Sequence, residues 1–291
     1  MRRREFLAAL AGTGLAAASQ AQTPPAKPRR GRVKQALMRF NFGRDPKLSF
    51  DDMCREAARI GYVGFDLIGP QDWPTLEKHG LVCTMAPAIG VTIRDGLIRP
   101  ELHEAIERAF HSEIDQCAAH GVPNIITVGG ERHGIGYEEG KDKAAALLNR
   151  VKAHAEEKGI TICIEVVNSK YTDPEVGRAD AIFDHLAWGV DLCKRVNSPR
   201  VKILFDIYHV QIMDGDVCAN IRDNFQWIAH FHAAGVPGRH ELDDTQELNY
   251  RFVAKTIADL GFAGYIAHEW RPTPGRDVIE NLQRVFEIMN V

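Results

Sequence analysis

The sequence predicts a single (β/α)8 TIM barrel over residues 33–291. Short apolar runs alternate with longer stretches of helical spacing, about eight such pairs fit the chain, and four consecutive runs end in polar side chains. Alternation of this kind predicts a parallel sheet, and eight repeats in a chain of this length favour closure into a barrel. The rival is an open doubly wound sheet, whose dinucleotide-binding version is weakened because no GxGxxG turn follows the first strand.

Eight apolar runs are the strand candidates. In chain order they are VKQALMRFNF, VGFDLIG, LVCTMAP, NIITVGG, TICIEVVN, VKILFDIYH, IAHFHAAG and YIAHEW. The clearest helix candidate lies between the third and fourth runs, and its apolar stripe consists of Leu102, Ile106, Phe110, Ile114 and Cys117. These residues recur every three or four positions, as on one face of a helix. Pro100 before the stripe and Gly121 after it are typical helix boundaries.

The N-terminus predicts export. Arg3-Arg4-Glu5-Phe6-Leu7 resembles the twin-arginine signature, and Ser19-Gln20-Ala21 resembles a signal-peptidase site. We expect residues 1–21 to be a twin-arginine-type signal peptide, residues 22–32 to be a linker, and the mature protein to be periplasmic. The apolar run is interrupted by glycines and too short for a span, so we expect no stable membrane insertion. The alternative is a frayed, basic amphipathic N-terminus.

Composition restricts the partners. The 291-residue chain is 45% hydrophobic and carries a net charge of −3, with no basic block in its body. Nothing therefore favours a nucleic-acid partner. The six cysteines form no CxxC pair and lie in apolar patterns, so we interpret them as core residues, not as disulfides or zinc ligands. Free thiols agree with twin-arginine export, which carries proteins folded in the reducing cytoplasm.

The fifth to eighth strand candidates each end in a polar side chain on one face. Alternate residues of a barrel strand point inward and toward the helices, and we expect the more consistently apolar set to face the helices. In the seventh run this assigns Ala229 and Phe231 outward and Ile228 and His230 inward. The inward sets of the four runs end in Glu165, Asp206, His232 and Glu269. Barrel enzymes place their sites at this end of the strands, so we expect these residues to converge.

A metal site follows from this convergence. Three carboxylates brought together repel one another and resist ionisation, and a divalent cation removes that cost. Three carboxylates and one imidazole suit a six-coordinate ion, with Mn²⁺ or Mg²⁺ favoured, better than a closed zinc site. Each residue alone has a simpler explanation, namely a salt bridge or helix cap for a carboxylate and a hydrogen-bonded core position for a histidine. Four such residues on adjacent strands favour one bound cation.

These motifs also carry a family resemblance. EVVN, FDIYH, HFHAAGVPGRHELD and AHEW resemble the metal-site strands of the xylose-isomerase-like sugar isomerases and epimerases, and AGVPGRHE is similar to hydroxypyruvate isomerases in particular. The resemblance covers most of residues 33–291 and is strongest from residue 160 onward. It implies metal binding by Glu165, Asp206, His232 and Glu269. It further implies that Glu165 and Glu269 are the paired acid/base groups, and that His209 and Arg239 bind substrate oxygens from loops above the site.

The resemblance implies an isomerase that acts on a small hydroxy-carbonyl or sugar substrate by proton transfer through an enediolate. One departure concerns His232, because hydroxypyruvate isomerases often have glutamine there, whereas ketose epimerases have histidine. The alternatives are a ketose 3-epimerase, a keto-sugar or inosose dehydratase, an apurinic-site endonuclease, which the negative charge disfavours, and an exported sugar-binding protein without catalysis. A homo-oligomer is a family expectation only.

Five further side chains are secondary candidates. Arg132 and His133 follow the fourth strand candidate, while Asp66 and Asn41 are inward candidates on or after earlier strands. His230 lies one pleat deeper than His232, and we expect it to be a buried, hydrogen-bonded residue.

Overall fold

A computed structural model describes residues 31–43, 47–88, 90–170, 172–173, 177–178 and 180–291. The predicted export signal, residues 1–21, and residues 22–30 of the predicted linker lie outside the described residues. The described chain begins at Gly31, and the Arg32 N–H donates a 2.7 Å hydrogen bond to the Val291 carbonyl oxygen.

Parallel strands build one continuous sheet in the described chain. They are β1 (Lys34–Leu37), β2 (Gly64–Asp66), β3 (Val82–Met85), β4 (Asn124–Val128), β5 (Thr161–Glu165), β8 (Val201–Asp206), β9 (Ile228–Ala233) and β10 (Tyr265–His268). Two short strands, β6 (Thr172–Asp173) and β7 (Gly177–Arg178), form a separate antiparallel pair. The eight-stranded sheet runs in the order β3-β2-β1-β10-β9-β8-β5-β4.

The two edges of this sheet meet at Ala86. Its N–H donates to the Asn124 carbonyl oxygen at 2.8 Å, and its own carbonyl oxygen accepts from the Ile126 N–H at 3.2 Å. This parallel bridge joins the end of β3 to β4. The sheet therefore closes into the predicted eight-stranded barrel, although the last seam is a bridge and not a full ladder.

Helices follow the strands around the outside of the barrel. They are α1 (Phe50–Ile60), α2 (Trp73–Lys78), α3 (His103–His120), α4 (Tyr137–Lys158), α5 (Leu186–Val196), α6 (Ile207–Met213), α7 (Val217–Asn224), α8 (Tyr250–Asp259) and α9 (Val278–Met289). Local signals set their ends: Ser49 caps α1 by accepting the Asp52 N–H, and Gly121 ends α3 in the left-handed region at φ 69°. Among the described residues, no helix is both long and apolar enough to cross a membrane.

Two apolar layers show which strand residues face inward. The larger layer packs between strands and helices and contains Ile162, Ile164, Phe205 and Phe231. A smaller cluster inside the barrel consists of Met85, Ile126, Cys163 and Leu204. Burial of each large apolar side chain in these layers stabilises the fold by about 1.5–3 kcal/mol relative to an exposed side chain. Because Cys163 and Leu204 lie two residues before Glu165 and Asp206, the strand period turns those carboxylates inward as well.

The predicted alternation is wrong at the start of β9. Ile203 pairs with Ile228 but Leu204 pairs with His230, so β9 carries one extra residue at this point. Ile228 therefore packs in the outer layer, and Ala229 contacts the inner cluster. This reverses the two predicted faces, because a β-bulge shifts the side-chain period by one residue. Beyond the bulge, alternation resumes.

The strand that contains Asp206 is shorter than FDIYH predicts. It ends at Asp206, whose carboxylate accepts the Tyr208 N–H at 2.8 Å and so caps α6. His209 consequently lies in the first turn of α6. The predicted loop position of His209 is therefore wrong. The cap satisfies a free N–H at the helix start, which explains why the chain turns helical immediately after the strand.

Candidate metal centre and active site

The four residues predicted to bind a metal converge at the carboxyl end of the barrel. One oxygen or nitrogen from each of Glu165, Asp206, His232 and Glu269 lies within 4.8 Å of the others. His232 is central, because its Nδ1 lies 3.1 Å from Glu165 Oε1 and 3.1 Å from Glu269 Oε2. Strand register produces this arrangement, since Asp206 and Ala267 both pair with His232 across the sheet.

Asp206 provides the test of whether this donor set fits a cation. Its side chain is fully buried, and its Oδ2 has no hydrogen-bond partner among the described residues. Burial, followed by the charge of Glu269, raises the pKa of Asp206 well above its usual range. An anionic oxygen buried without a hydrogen bond is costly, and a divalent cation beside it removes that cost. Three carboxylates and an imidazole around such an oxygen fit a hard, six-coordinate ion.

Arg239 fixes the charge of Glu269. Its Nη2 lies 2.6 Å from Glu269 Oε1 and 3.8 Å from Asp206 Oδ2, and its guanidinium lies 5.4 Å from the ring centroid of Tyr208. Burial by itself would raise the pKa of Glu269, but the charges of Arg239 and His232 hold it well below its usual range. Glu269 is therefore a carboxylate that can accept a proton. As predicted, Arg239 reaches the site from the loop after β9.

His209 is held as one neutral tautomer beside the four residues. Its Nδ1 accepts the Asn168 backbone N–H at 3.1 Å and lies 2.6 Å from Asn168 Nδ2, while its Nε2 lies 3.4 Å from Asp206 Oδ2. Burial, followed by the charge of Arg239, lowers the pKa of His209 to about 3. The proton of the neutral ring therefore lies on Nε2, which points toward the site as a hydrogen-bond donor.

The remaining histidine of β9 behaves as a buried, hydrogen-bonded residue, as expected. His230 is fully buried, and its Nε2 lies 2.7 Å from Asp66 Oδ2. Asp66 is almost completely buried as well. Asp66, predicted to face inward, therefore lies directly beneath the four converging residues.

Three secondary candidates do not join the site. Arg132 donates to Asp180 Oδ1 at 2.9 and 2.6 Å, and His133 Nε2 lies 3.3 Å from Glu131 Oε2, so both tie down their own loop. Asn41 Nδ2 donates to the Trp270 carbonyl oxygen at 2.6 Å. Asn41 therefore anchors the residue after Glu269 and does not itself reach the four converging side chains.

Sequence reasoning missed two residues that shape the site. Asn168 closes the EVVN motif and Tyr208 lies within FDIYH, but nothing in their spacing indicated what they would contact. Glu241 makes tertiary contacts next to the site. It is buried and accepts hydrogen bonds from the Thr273 N–H at 2.9 Å and from Asn281 Nδ2 at 2.8 Å. It thereby joins the loop that carries Arg239 to the segment after β10.

A cavity of about 520 Å³ opens beside Glu269. Its lining consists of Phe40, Gly43, Arg239, His240, Glu269, Arg271, Pro272 and Pro274. Arg239 is paired with Glu269, whereas the exposed Arg271 side chain makes no ion pair with any described residue. Among its described lining residues the cavity therefore combines Glu269 with an arginine that has no ion pair.

Comparison with known proteins agrees with this architecture. The model of the xylose isomerase-like TIM barrel family matches residues 54–288. The chain is 31% identical over 179 residues to a Danio rerio protein with the provisional name hydroxypyruvate isomerase, and the match covers 62% of each chain. It is 36% identical over 119 residues to a 2-oxo-tetronate isomerase of Cupriavidus necator, covering 40% of this chain and 43% of the relative. The matches thus span less than two thirds of either relative.

Solved structures share the fold at lower identity. A family 2 AP endonuclease from Brucella melitensis matches with a TM-score of 0.75 at 22% identity, covering 86% of this chain and 96% of that one. A D-psicose 3-epimerase, in the presence of D-fructose, matches with a TM-score of 0.71 at 15% identity, covering 89% and 100%. At these identities the two structural matches show a shared fold and nothing about function. With the family match over residues 54–288, the chain belongs to the xylose isomerase-like TIM barrel family.

Proposed function

We propose that this protein is a divalent-metal-dependent isomerase of small hydroxy-carbonyl compounds, similar in action to a hydroxypyruvate isomerase. The observation that carries the proposal is the convergence of Glu165, Asp206, His232 and Glu269 within 4.8 Å beside a cavity of about 520 Å³. The volume suits a small ligand. The names of the relatives, hydroxypyruvate isomerase and 2-oxo-tetronate isomerase, support the same reaction class.

The same four side chains would hold the cation, with Mn²⁺ or Mg²⁺ as the favoured ions. Such an ion would supply a Lewis acid that polarises the substrate carbonyl and offsets negative charge as it develops on adjacent oxygens. The Asp206 Oδ2, buried without a hydrogen bond, is the feature of the described chain that most clearly supports a cation here.

Two glutamates then move the proton. Glu165 and Glu269 both border His232, and their side chains are 12% and 14% exposed. Glu269 lines the cavity, so we expect a substrate bound there to lie within reach of both carboxylates. One carboxylate takes a proton from the hydroxyl-bearing carbon, and the other gives a proton to the neighbouring carbonyl carbon. The hydroxyl proton passes to the former carbonyl oxygen, so that aldehyde and ketone interconvert without change of mass. His209 Nε2–H and the Arg239 guanidinium are the donors available to a substrate oxygen whose charge grows during this transfer.

Arg271 favours a substrate that carries a carboxylate. Arg271 lines the cavity, its exposed side chain has no ion-pair partner among the described residues, and planar carboxylates match the guanidinium fork. Hydroxypyruvate and 2-oxo-tetronate are both carboxylates, whereas ketohexoses are neutral. This feature supports the hydroxy-acid isomerase over the ketose 3-epimerase, which remains the second candidate because of the histidine at position 232.

The experiment is a substrate panel with purified protein. Hydroxypyruvate, 2-oxo-tetronate and D-fructose are incubated with the Mn²⁺-loaded chain, and products are followed by NMR and mass spectrometry. We expect turnover of a 2-oxo acid without change of mass, and a loss of roughly 10²–10⁴-fold for Glu269→Gln and Glu165→Gln. Glu104→Gln, at an exposed position, is the matched control.

Other outcomes point to other functions. Ketose epimerisation indicates the second candidate, and a product lighter by one water indicates a dehydratase. Tight sugar binding by calorimetry without turnover indicates a binding protein. Full activity of Glu269→Gln, or full activity after removal of the metal by a chelator, contradicts the proposed mechanism.

A further inference from the structure

A buried polar cluster lies directly below the four converging residues. Asp66, at the end of β2, places its Oδ2 2.7 Å from His230 Nε2 and 3.1 Å from His232 Nε2. The Thr84 hydroxyl donates to its other oxygen, Oδ1. All four side chains are at most 1% exposed. In this cluster one carboxylate from β2 accepts from three neighbouring donors, one on β3 and two on β9.

His232 connects this cluster to the candidate metal centre through the two sides of its ring. Its Nδ1 faces Glu165 Oε1 and Glu269 Oε2, while its Nε2 faces Asp66. An imidazole that donates its Nε2–H to a carboxylate leaves the Nδ1 lone pair available to a cation. A carboxylate behind a ligating histidine fixes the ring's tautomer and orientation and raises its basicity.

Distances argue against a second cation between Asp66, His230 and His232, although their ligand atoms lie close enough to form a candidate group. Two ligands bound to one ion at about 2.1 Å lie roughly 3.0–3.4 Å apart in octahedral or tetrahedral geometry. The His230 Nε2–Asp66 Oδ2 separation of 2.7 Å is shorter and lies in the hydrogen-bond range. The Thr84 hydroxyl also occupies the other carboxylate oxygen.

We propose that Asp66 is a positioning residue for the metal centre. It holds His232 as the Nε2–H tautomer, so that Nδ1 is directed at the cation, and His230 and Thr84 hold Asp66 in place. The role rests on the proposed metal site, but not on which substrate is converted. Asp66 acts through His232 and does not itself contact the reacting atoms.

The test is Mn²⁺ binding by the full chain, measured by calorimetry and by electron paramagnetic resonance of free Mn²⁺. We expect Asp66→Asn to bind Mn²⁺ about 10–100-fold more weakly than the unmodified protein, with one ion per chain in both. Asp184→Asn is the matched control, because Asp184 is also a buried carboxylate but pairs with Tyr137 and Ser169. This control should bind Mn²⁺ normally.

Two further measurements keep the test decisive. Thr84→Val removes the hydroxyl at nearly constant shape and should weaken Mn²⁺ binding several-fold even where Asp66→Asn fails to fold. Nitrogen NMR of the Mg²⁺-loaded protein should show His232 protonated on Nε2. If His232 keeps the same tautomer in Asp66→Asn, the proposal is overturned, because a purely structural role of Asp66 would leave the tautomer unchanged.

Several results would separate this proposal from the proposed function. Unchanged Mn²⁺ affinity in Asp66→Asn, or two ions per chain with one lost in the variant, overturns the positioning role. A protein that binds Mn²⁺ through Asp66-dependent His232 but converts no substrate contradicts the proposed function and leaves the positioning role supported. A chain that binds no Mn²⁺ at all overturns both.

Discussion

Asn168 presents two N–H groups to a single nitrogen of His209. The backbone N–H lies 3.1 Å and the side-chain Nδ2 2.6 Å from His209 Nδ1, although the residues are 41 positions apart in the chain. Because Nδ1 only accepts, the ring's one proton lies on Nε2, toward the candidate metal centre. The arrangement makes His209 a neutral donor.

Replacing Asn168 by aspartate should reverse this arrangement. A carboxylate beside Nδ1 favours a protonated ring, so we expect the pKa of His209 to rise from about 3. Activity should fall roughly 10–100-fold, since the donor geometry and charge at Nε2 both change. The measurement is an NMR titration of the Mg²⁺-loaded protein alongside kcat/KM. Asn224→Asp is the control, and an unchanged His209 pKa would contradict the interpretation.

Arg271 should determine the preference for charged substrates. We expect Arg271→Gln to raise KM for hydroxypyruvate by roughly 10–100-fold, because a charge-assisted hydrogen bond contributes about 1.5–3 kcal/mol. Any activity on D-fructose should hardly change, since that sugar has no carboxylate. Steady-state kinetics on both substrates measures the difference, with the exposed Arg108→Gln as control. Equal effects on charged and neutral substrates would count against this role.

Acid should destabilise the fold through His268. Its Nε2 lies 2.9 Å from Gln35 Oε1, its Nδ1 has no partner among the described residues, and burial lowers its pKa to about 3. Between pH 6.5 and about 3, His268 binds a proton in the unfolded chain but stays neutral in the folded chain. The free energy of unfolding therefore falls as the pH falls. This one histidine contributes a slope of up to about 1.4 kcal/mol per pH unit.

Denaturant unfolding from pH 7 to 4 measures that slope. His268→Gln should be less stable at pH 7, but its free energy of unfolding should depend less on pH, by the slope that corresponds to about one proton. His111→Gln, which changes a half-buried histidine on α3, should keep the pH dependence of the unmodified protein. An identical slope in unmodified protein and His268→Gln would show that the titrating group is elsewhere.

The twin-arginine signature also makes a testable proposal about location. We expect the chain, expressed in a bacterium with the twin-arginine translocase, to reach the periplasm and to lose about 21 residues there. Arg3→Lys together with Arg4→Lys should leave the full-length chain in the cytoplasm. Cell fractionation and intact-mass measurement give the result. Export of the double variant would contradict the proposal.

Much of the site was predictable because it depends on local pattern. Each of the four converging residues lies within one residue of a strand end, and the ends of neighbouring parallel strands lie close together. They are Glu165, Asp206, His232 and Glu269. Their identity as a group therefore follows from strand order and residue type alone. Arg239 was likewise predicted in the loop after β9, where the structure has it. The His209 helix was missed because a strand-end aspartate that caps a helix looks, in sequence, like any other polar residue.

The chain's own pattern was sufficient for the barrel, its helices and the four converging side chains, since hydrophobic period and strand ends are properties of short segments. Only the tertiary structure decided the bulge at the start of β9, the tautomer of His209 and the carboxylate behind His232. Each depends on a partner far along the chain: β8 for the bulge, Asn168 for His209, and Asp66, 166 residues away, for His232. Hydrogen bonds and strand register between such distant segments exist only once the barrel has closed.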